Sequence, residues 1–99
     1  RVKIHYFVFS EILRRYLEAI RDFPAAEYTT EEIARRISAE SDRKLIPLLQ
    51  QADLVKFADS VPTPARKEAD IKAALAYIRQ SSAQLEIDAA KALQPEVPQ

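Results

Sequence analysis

The side chains that could take part in chemistry are few in this chain and stand apart from one another. His5 is the only imidazole, and among the aromatic residues near the start a half-buried helix position is its ordinary interpretation. Glu31 and Glu32 are adjacent carboxylates, but neighbouring helix residues point about 100° apart and do not face each other. No spacing supplies the oriented partner that a nucleophile or a general base needs. We therefore predict no catalytic residue.

The composition removes whole classes of site. The 99 residues include no Cys and no Gly, so a disulfide, a thiol nucleophile and a glycine-built phosphate loop are all excluded. A single His excludes an imidazole metal cluster. Basic and acidic residues number 15 each, which leaves a net charge of zero. We predict no metal, no cofactor and no enzymatic activity.

Apolar residues with helical spacing predict a long first helix that ends before Pro24. The predicted inward stripe, with two residues that widen it, is Val2, Tyr6, Phe9, Leu13, Tyr16, Ile20 and Phe23, with Ile12 and Leu17.

The clearest local motif is a capping box at the start of a short second helix, predicted over residues 30–39. Thr29 is the N-cap and Glu32 is the third helical residue, the pair that can satisfy free amides reciprocally. Tyr28 and Ile33 flank this pair at the positions of a hydrophobic staple. We interpret these four residues as a structural cap, which accounts for both glutamates without a catalytic role.

Prolines indicate where the remaining helices begin. Pro47 belongs in a first turn, which places the start of the third helix near residues 42–44. Thr63 as N-cap and Pro64 after it start the fourth helix, which runs toward Leu93. Its predicted inward stripe again has steps of 4 and 3: Ile71, Leu75, Ile78, Ser82, Leu85, Ala89 and Ala92. Residues 54–58 alternate, so they are either a short strand or the end of the third helix.

The predicted fold class is therefore mainly α, with four helices in one domain over residues 1–93 and a C-terminal tail over 94–99. The short middle helices and the polar turn between them are typical of a helix-turn-helix or winged-helix core, and equally of a plain bundle. Residues 26–28 and 54–58 could pair as a minimal two-stranded ribbon, which favours the winged-helix alternative slightly.

Two groups of residues are candidates for an interaction surface. Phe7 and Val8 lie off the main stripe of the first helix and could form an exposed apolar patch. The basic candidates lie in and after the second helix: Arg35, Arg36, Arg43 and Lys44. A helix-turn-helix protein would contact DNA phosphates there. However, residues 24–60 hold five basic and seven acidic side chains, and DNA binding needs a positive footprint.

Several segments together resemble a known family. The segments are Phe9–Glu18, Phe23–Ala25, Tyr28–Ile33, Leu48–Leu49 and Ala52–Ala58. Over about residues 9–78 they resemble the cytoplasmic C-terminal segment of membrane proteins from bacterial aerotolerance (Bat-type) operons. The chain departs from that pattern at Pro47, at residues 49–51 and after Ser81. The resemblance implies a domain that hangs from an upstream transmembrane helix, near MoxR-type AAA+ ATPases and von Willebrand A-domain proteins, and it carries over no active site.

From these observations we expect a non-enzymatic protein-interaction domain on the cytoplasmic face of the inner membrane, as part of a bacterial membrane-anchored protein. Arg1 and Lys3 at the start suit the cytoplasmic flank of a membrane helix. The alternative is a winged-helix DNA-binding domain. A protein partner is expected, nucleic acid is not, and the sequence leaves the oligomeric state open.

Overall fold

A computed structural model describes residues 1–94 of the chain. These residues form four α-helices joined by two 3₁₀ turns and short connections. The helices are α1 (Val2–Ile20), α2 (Thr30–Arg36), α3 (Leu45–Phe57) and α4 (Pro64–Leu93), and the 3₁₀ turns are Ala25–Glu27 and Glu40–Lys44. The prediction of a mainly helical chain is confirmed. Apart from Gln94, the predicted tail lies outside the described residues.

The helix α1 buries one side against α3, as its apolar spacing predicts. Tyr6, Leu13 and Leu17 are at most 1% exposed, and Phe9 is also buried. The predicted stripe is wrong at Ile12, which is 55% exposed, and α1 ends at Ile20, so Phe23 lies beyond the helix. Ile12 lies beside Phe9 and Leu13 on the helix surface but faces away from α3, toward the gap between α1 and α4.

The short helix α2 begins with both hydrogen bonds of a capping box. The Glu32 amide donates to Thr29 Oγ1 over 3.2 Å, and the Thr29 amide donates to Glu32 Oε1 over 2.9 Å. The bond that the Thr29 amide donates to this carboxylate lowers the pKa of Glu32, because it stabilises the charged form. Ile33 is buried in the core, whereas Tyr28 is half-buried and its ring lies 5.5 Å from that of Phe23. The helix ends at Arg36 rather than at residue 39.

The central element is α3, which contacts α1, α2 and α4. Its buried residues lie on several faces: Leu45, Leu48, Leu49, Gln51, Ala52, Val55 and Lys56. Pro47 lies in its first turn, where a missing amide hydrogen breaks no helical bond. The chain leaves α3 through Asp59, whose φ of 54° is in the left-handed region, and the Ser60 amide closes the end on the Leu54 carbonyl over 3.0 Å.

The two-stranded ribbon considered from the sequence is absent from the described part of the chain. Residues 54–57 form the last turn of α3, because Ala52, Val55 and Lys56 continue its buried helical spacing. Ala25–Glu27 is a 3₁₀ turn, held by hydrogen bonds back to Pro24 and Ala25. Neither segment therefore forms a strand.

The helix α4 extends well beyond the part of the domain formed by the other three helices. Thr63 caps it by accepting a hydrogen bond from the Arg66 amide over 3.1 Å, and Pro64 is its first residue, as predicted. From Ala83 onward every described residue except Leu85 is exposed. The molecule consequently measures 62 × 26 × 18 Å.

Candidate functional site: an apolar groove between the first and fourth helices

Tyrosine side chains of α1 reach α4 and hold it alongside. The Tyr6 hydroxyl donates to Asp70 Oδ2 over 2.5 Å, and the Tyr16 hydroxyl lies 2.7 Å from Ser81 Oγ and 2.9 Å from Ser82 Oγ. Because residue 6 pairs with 70 and residue 16 with 81 and 82, the two helices run in the same direction. Burial and the bond to Asp70 raise the pKa of Tyr6 to about 12.

A second tether joins the end of α1 to α4 through the 3₁₀ turn Glu40–Lys44. Asp42, which is 1% exposed, accepts from Arg21 Nε over 2.6 Å and Arg21 Nη2 over 3.0 Å, and from the Tyr77 hydroxyl over 2.8 Å. Burial and the Asp42 carboxylate raise the pKa of Tyr77, and the same carboxylate raises that of Arg21. All the polar atoms that converge here satisfy one another.

Between these tethers lies an open groove of about 320 Å³ with an almost wholly apolar wall. Its lining residues come from α1 and α4: His5, Val8, Phe9, Ile12, Leu13, Ile71, Ala74, Leu75 and Ile78. Its rim is formed by aliphatic side chains that face solvent. Val8 is 53% exposed, Leu75 43% and Ile71 36%. Exposed aliphatic side chains around an apolar depression are typical of a surface that receives another apolar element.

The groove exists because α4 turns a different face to the core than its apolar pattern predicts. The predicted inward stripe is wrong at Ile71 and Leu75, which are exposed, whereas Ile78 is half-buried against the core. The structure instead buries Asp70, Ala74, Tyr77 and Ser81, which have the same spacing one residue earlier. Those polar residues are buried because their hydrogen-bond partners lie on α1 and on the 3₁₀ turn Glu40–Lys44. One sequence feature could have indicated that this face of α4 is buried. The tyrosines on the predicted inner face of α1 have hydroxyl groups that need hydrogen-bond partners.

The apolar pair proposed for interaction is split between two faces of α1. Phe7 is 46% exposed and packs edge-on against Phe57 at 6.2 Å between ring centroids, whereas Val8 lines the groove. The structure therefore assigns only Val8 to this site.

The basic candidates lie outside the groove. Arg36 stacks on the Phe23 ring at 5.3 Å, and Lys44 donates to Gln80 Oε1 on α4 over 3.0 Å. Arg35 and Arg43 are exposed. None of the four lines the groove, so the six predicted interaction residues are not brought together as one site around it.

His5 lines the groove as a half-buried residue. Its ring stacks on Phe9 at 6.0 Å, and its buried Nε2 atom has no hydrogen-bond partner within residues 1–94. Burial and the nearby Lys67 lower the pKa of the imidazole, with Asp70 opposing them. The neutral ring is thus favoured, which keeps the groove wall uncharged.

A buried lysine outside the groove is a further feature that the sequence reasoning missed. Lys56 is 8% exposed, and its ammonium lies 5.0 Å from the ring centroids of both Phe7 and Phe57. Its hydrogen bond to Ser10 Oγ is long, at 3.5 Å. Burial, with the charge of Arg14, lowers its pKa. The available signal was the spacing of Lys56 within α3, four residues after buried Ala52.

Within residues 1–94, no cluster of three or more His, Asp or Glu residues could hold a metal ion. In the same part of the chain, no helix has both the length and the apolar character to cross a membrane. Comparison of the chain with known protein families, with curated proteins and with solved structures finds no match.

Proposed function

We propose that this domain is a non-enzymatic protein-interaction module whose α1–α4 groove receives an apolar helix of another polypeptide chain. The observation that carries the proposal is the groove itself. Aliphatic side chains from two parallel helices face solvent around a depression with nearly no polar wall. A groove of this kind suits a helix that presents apolar residues at intervals of three and four.

The pairing of the converging ionisable groups supports a non-enzymatic role. Asp42 accepts hydrogen bonds from Arg21 and Tyr77. Asp70 accepts hydrogen bonds from Tyr6 and Arg66. Both carboxylates are buried and act as tethers between helices. A general base or a nucleophile would need a free lone pair directed at an open site. The lone pairs of these carboxylates instead accept hydrogen bonds from side chains that hold the helices together.

The membrane-anchored setting rests on the Bat-type resemblance and on the basic residues Arg1 and Lys3, and it stays a prediction. It comprises an upstream transmembrane helix, the cytoplasmic face of the inner membrane, and MoxR-type ATPases or von Willebrand A-domain proteins as partners.

The winged-helix DNA-binding alternative has less support. In a helix-turn-helix protein the second helix of the motif presents its side chains to the major groove. Here that helix is α3, and its only basic residue, Lys56, is buried between two phenylalanines. Salt-sensitive micromolar binding to random duplex DNA in a mobility-shift assay would nevertheless favour this alternative over ours.

The test of the docking proposal is site-specific photocrosslinking in cells. A benzoylphenylalanine at Ile12, on the groove rim, is expected to form covalent adducts with a partner chain. The same group at Gln50, which is exposed on α3, is the matched control and is expected to form none. Adding Leu75→Glu should abolish the Ile12 adducts, because a charge on the rim opposes burial of an apolar helix.

Adducts at Ile12 no more abundant than those at Gln50, or adducts that persist with Leu75→Glu, would contradict the proposed function. Mass spectrometry of the adducts then names the partner. An AAA+ ATPase or a von Willebrand A-domain protein would support the membrane-anchored setting.

A further inference from the structure

The apolar stripe of α4 that borders the groove has the pattern of a coiled-coil seam. Its residues recur at steps of 4 and 3 without interruption over the last two-thirds of the helix: Ile71, Leu75, Ile78, Ser82, Leu85, Ala89 and Ala92. In heptad terms Leu75, Ser82 and Ala89 occupy position a, and the other four occupy position d. This seam borders the groove at one end and continues along the exposed part of α4 at the other.

The two ends of the seam are complementary in size. The seam begins with the large residues Ile71, Leu75 and Ile78 and ends with the small residues Ala89 and Ala92, with Ser82 and Leu85 between them. An antiparallel pairing of two such helices brings a positions opposite d positions. It sets Leu75 against Ala92 of the second helix, Ile78 against Ala89, and Ser82 against Leu85. Each of these three layers then combines a large with a small residue, the arrangement in which facing side chains interdigitate.

The charges beside the seam favour the same pairing. Arg79 and Glu86 both occupy position e, both are exposed, and neither forms an ion pair within residues 1–94. In an antiparallel pair, e positions face e positions, and the register of the layers above sets Arg79 of each helix opposite Glu86 of the other. A parallel pair would instead set e against g, where Ala74 and Ser81 carry no charge.

We infer that the groove is filled by the end of α4 from a second copy of this chain, in an antiparallel two-fold pair. The inference rests on the proposed function and names the partner of its groove. The small residues of the second copy's α4 enter between Val8 and Ile12 on one side and Leu75 and Ile78 on the other. Two-fold symmetry then fills both grooves and forms both Arg79–Glu86 contacts at once.

The test is sedimentation equilibrium of the full chain at loadings from about 10 µM to about 1 mM. The wild type is expected to shift from monomer to dimer. Arg79→Glu should weaken the dimer about tenfold, because two contacts become repulsive by symmetry. Combining it with Glu86→Arg should restore the wild-type affinity. Arg43→Glu makes the same charge change at an exposed site away from the seam and should have no effect.

Orientation is tested with spin labels, since the chain has no native Cys. Labels at Ala83→Cys should lie close together near the two-fold axis. Labels at Ala69→Cys should lie about 43 Å apart along the helix axis, from a rise of 1.5 Å per residue. Short distances at both positions would indicate a parallel pair and overturn the inference.

A monomer throughout the concentration range, or a dimer that the charge exchange does not rescue, would also overturn it. The proposed function fails separately. If the chain is monomeric but Ile12 still crosslinks to a different protein in a Leu75-dependent way, the docking function stands and only the second copy is wrong as partner.

Discussion

Replacing Asp42 by Asn should loosen the junction that holds α1 and α4 at the distance that creates the groove. The Asn side chain has nearly the same shape. Its carbonyl oxygen can still accept from the Tyr77 hydroxyl, which now bonds Asp42 Oδ1 over 2.8 Å. Its amide, however, replaces the oxygen that accepts from Arg21 Nε over 2.6 Å. A donor then faces a donor, and the arginine loses its counter-charge.

The expected cost is about 2–3 kcal/mol of unfolding free energy. A hydrogen bond to a charged group contributes about 1.5–3 kcal/mol, and the site is 1% exposed, so water does not replace the lost acceptor. Arg21 is about one-third exposed and can turn toward solvent, which keeps the loss below the roughly 3–5 kcal/mol of a fully buried broken ion pair. Tyr77→Phe removes one neutral donor and should cost about 1 kcal/mol.

The assay is equilibrium unfolding in urea, followed by far-ultraviolet circular dichroism because the chain has no Trp. Dilute protein is required, since association would add to the apparent stability. Asp42→Asn should lower the midpoint without changing the slope. If its unfolding free energy stays within about 0.5 kcal/mol of wild type, the typical limit for surface changes, the junction does not carry the energy assigned to it.

Three further changes follow from individual contacts. Leu13→Ala should lower the free energy of unfolding in urea by about 2–5 kcal/mol, because truncating this fully buried core side chain leaves a cavity. Thr29→Ala should lower the free energy of unfolding by about 1 kcal/mol, because the capping box is lost, and should therefore lower the urea midpoint. Thr63→Ala, which removes the N-cap of α4, should have an effect of similar size. Stability should fall as pH rises above 10, because an unfolded tyrosine ionises near pH 10 whereas folded Tyr6 does so only near 12. At pH 11 this amounts to about 1 kcal/mol.

Each of these has a clear contrary result. A thermal melt of Leu13→Ala that overlays the wild type would refute the burial of that stripe. An unchanged midpoint for Thr29→Ala would mean that tertiary packing alone holds α2. In an alkaline absorbance titration, all tyrosines ionising together near pH 10 would show that Tyr6 is solvated. Tyr6→Phe is the matched control, and it should flatten the pH dependence in part.

The local features of this fold could be predicted because they depend on a few adjacent residues. The capping box of Thr29 and Glu32 and the start of α4 at Thr63 and Pro64 need only short-range geometry. The burial of Leu13 follows from a strong apolar period. In each case the hydrophobic pattern and the local hydrogen bonds favour the same structure.

The face of α4 could not be predicted in this way, because bonds between distant residues decide it. Asp70 and Tyr77 are buried through partners that lie 64 and 35 residues away along the chain. A prediction from hydrophobic periodicity treats Asp70 and Tyr77 as exposed. It predicts that the adjacent apolar stripe, which begins with Ile71 and Leu75, is buried. The groove, and with it the candidate site, is the direct result of that difference.

The projecting end of α4 has a hydrodynamic consequence. The radius of gyration is 16.0 Å, against about 13 Å for a compact domain of this length. A single copy should therefore elute early from a sizing column and resemble a heavier species. Its tumbling should also be anisotropic, so that backbone amides aligned with α4 relax differently in nuclear magnetic resonance from those whose bonds cross the long axis.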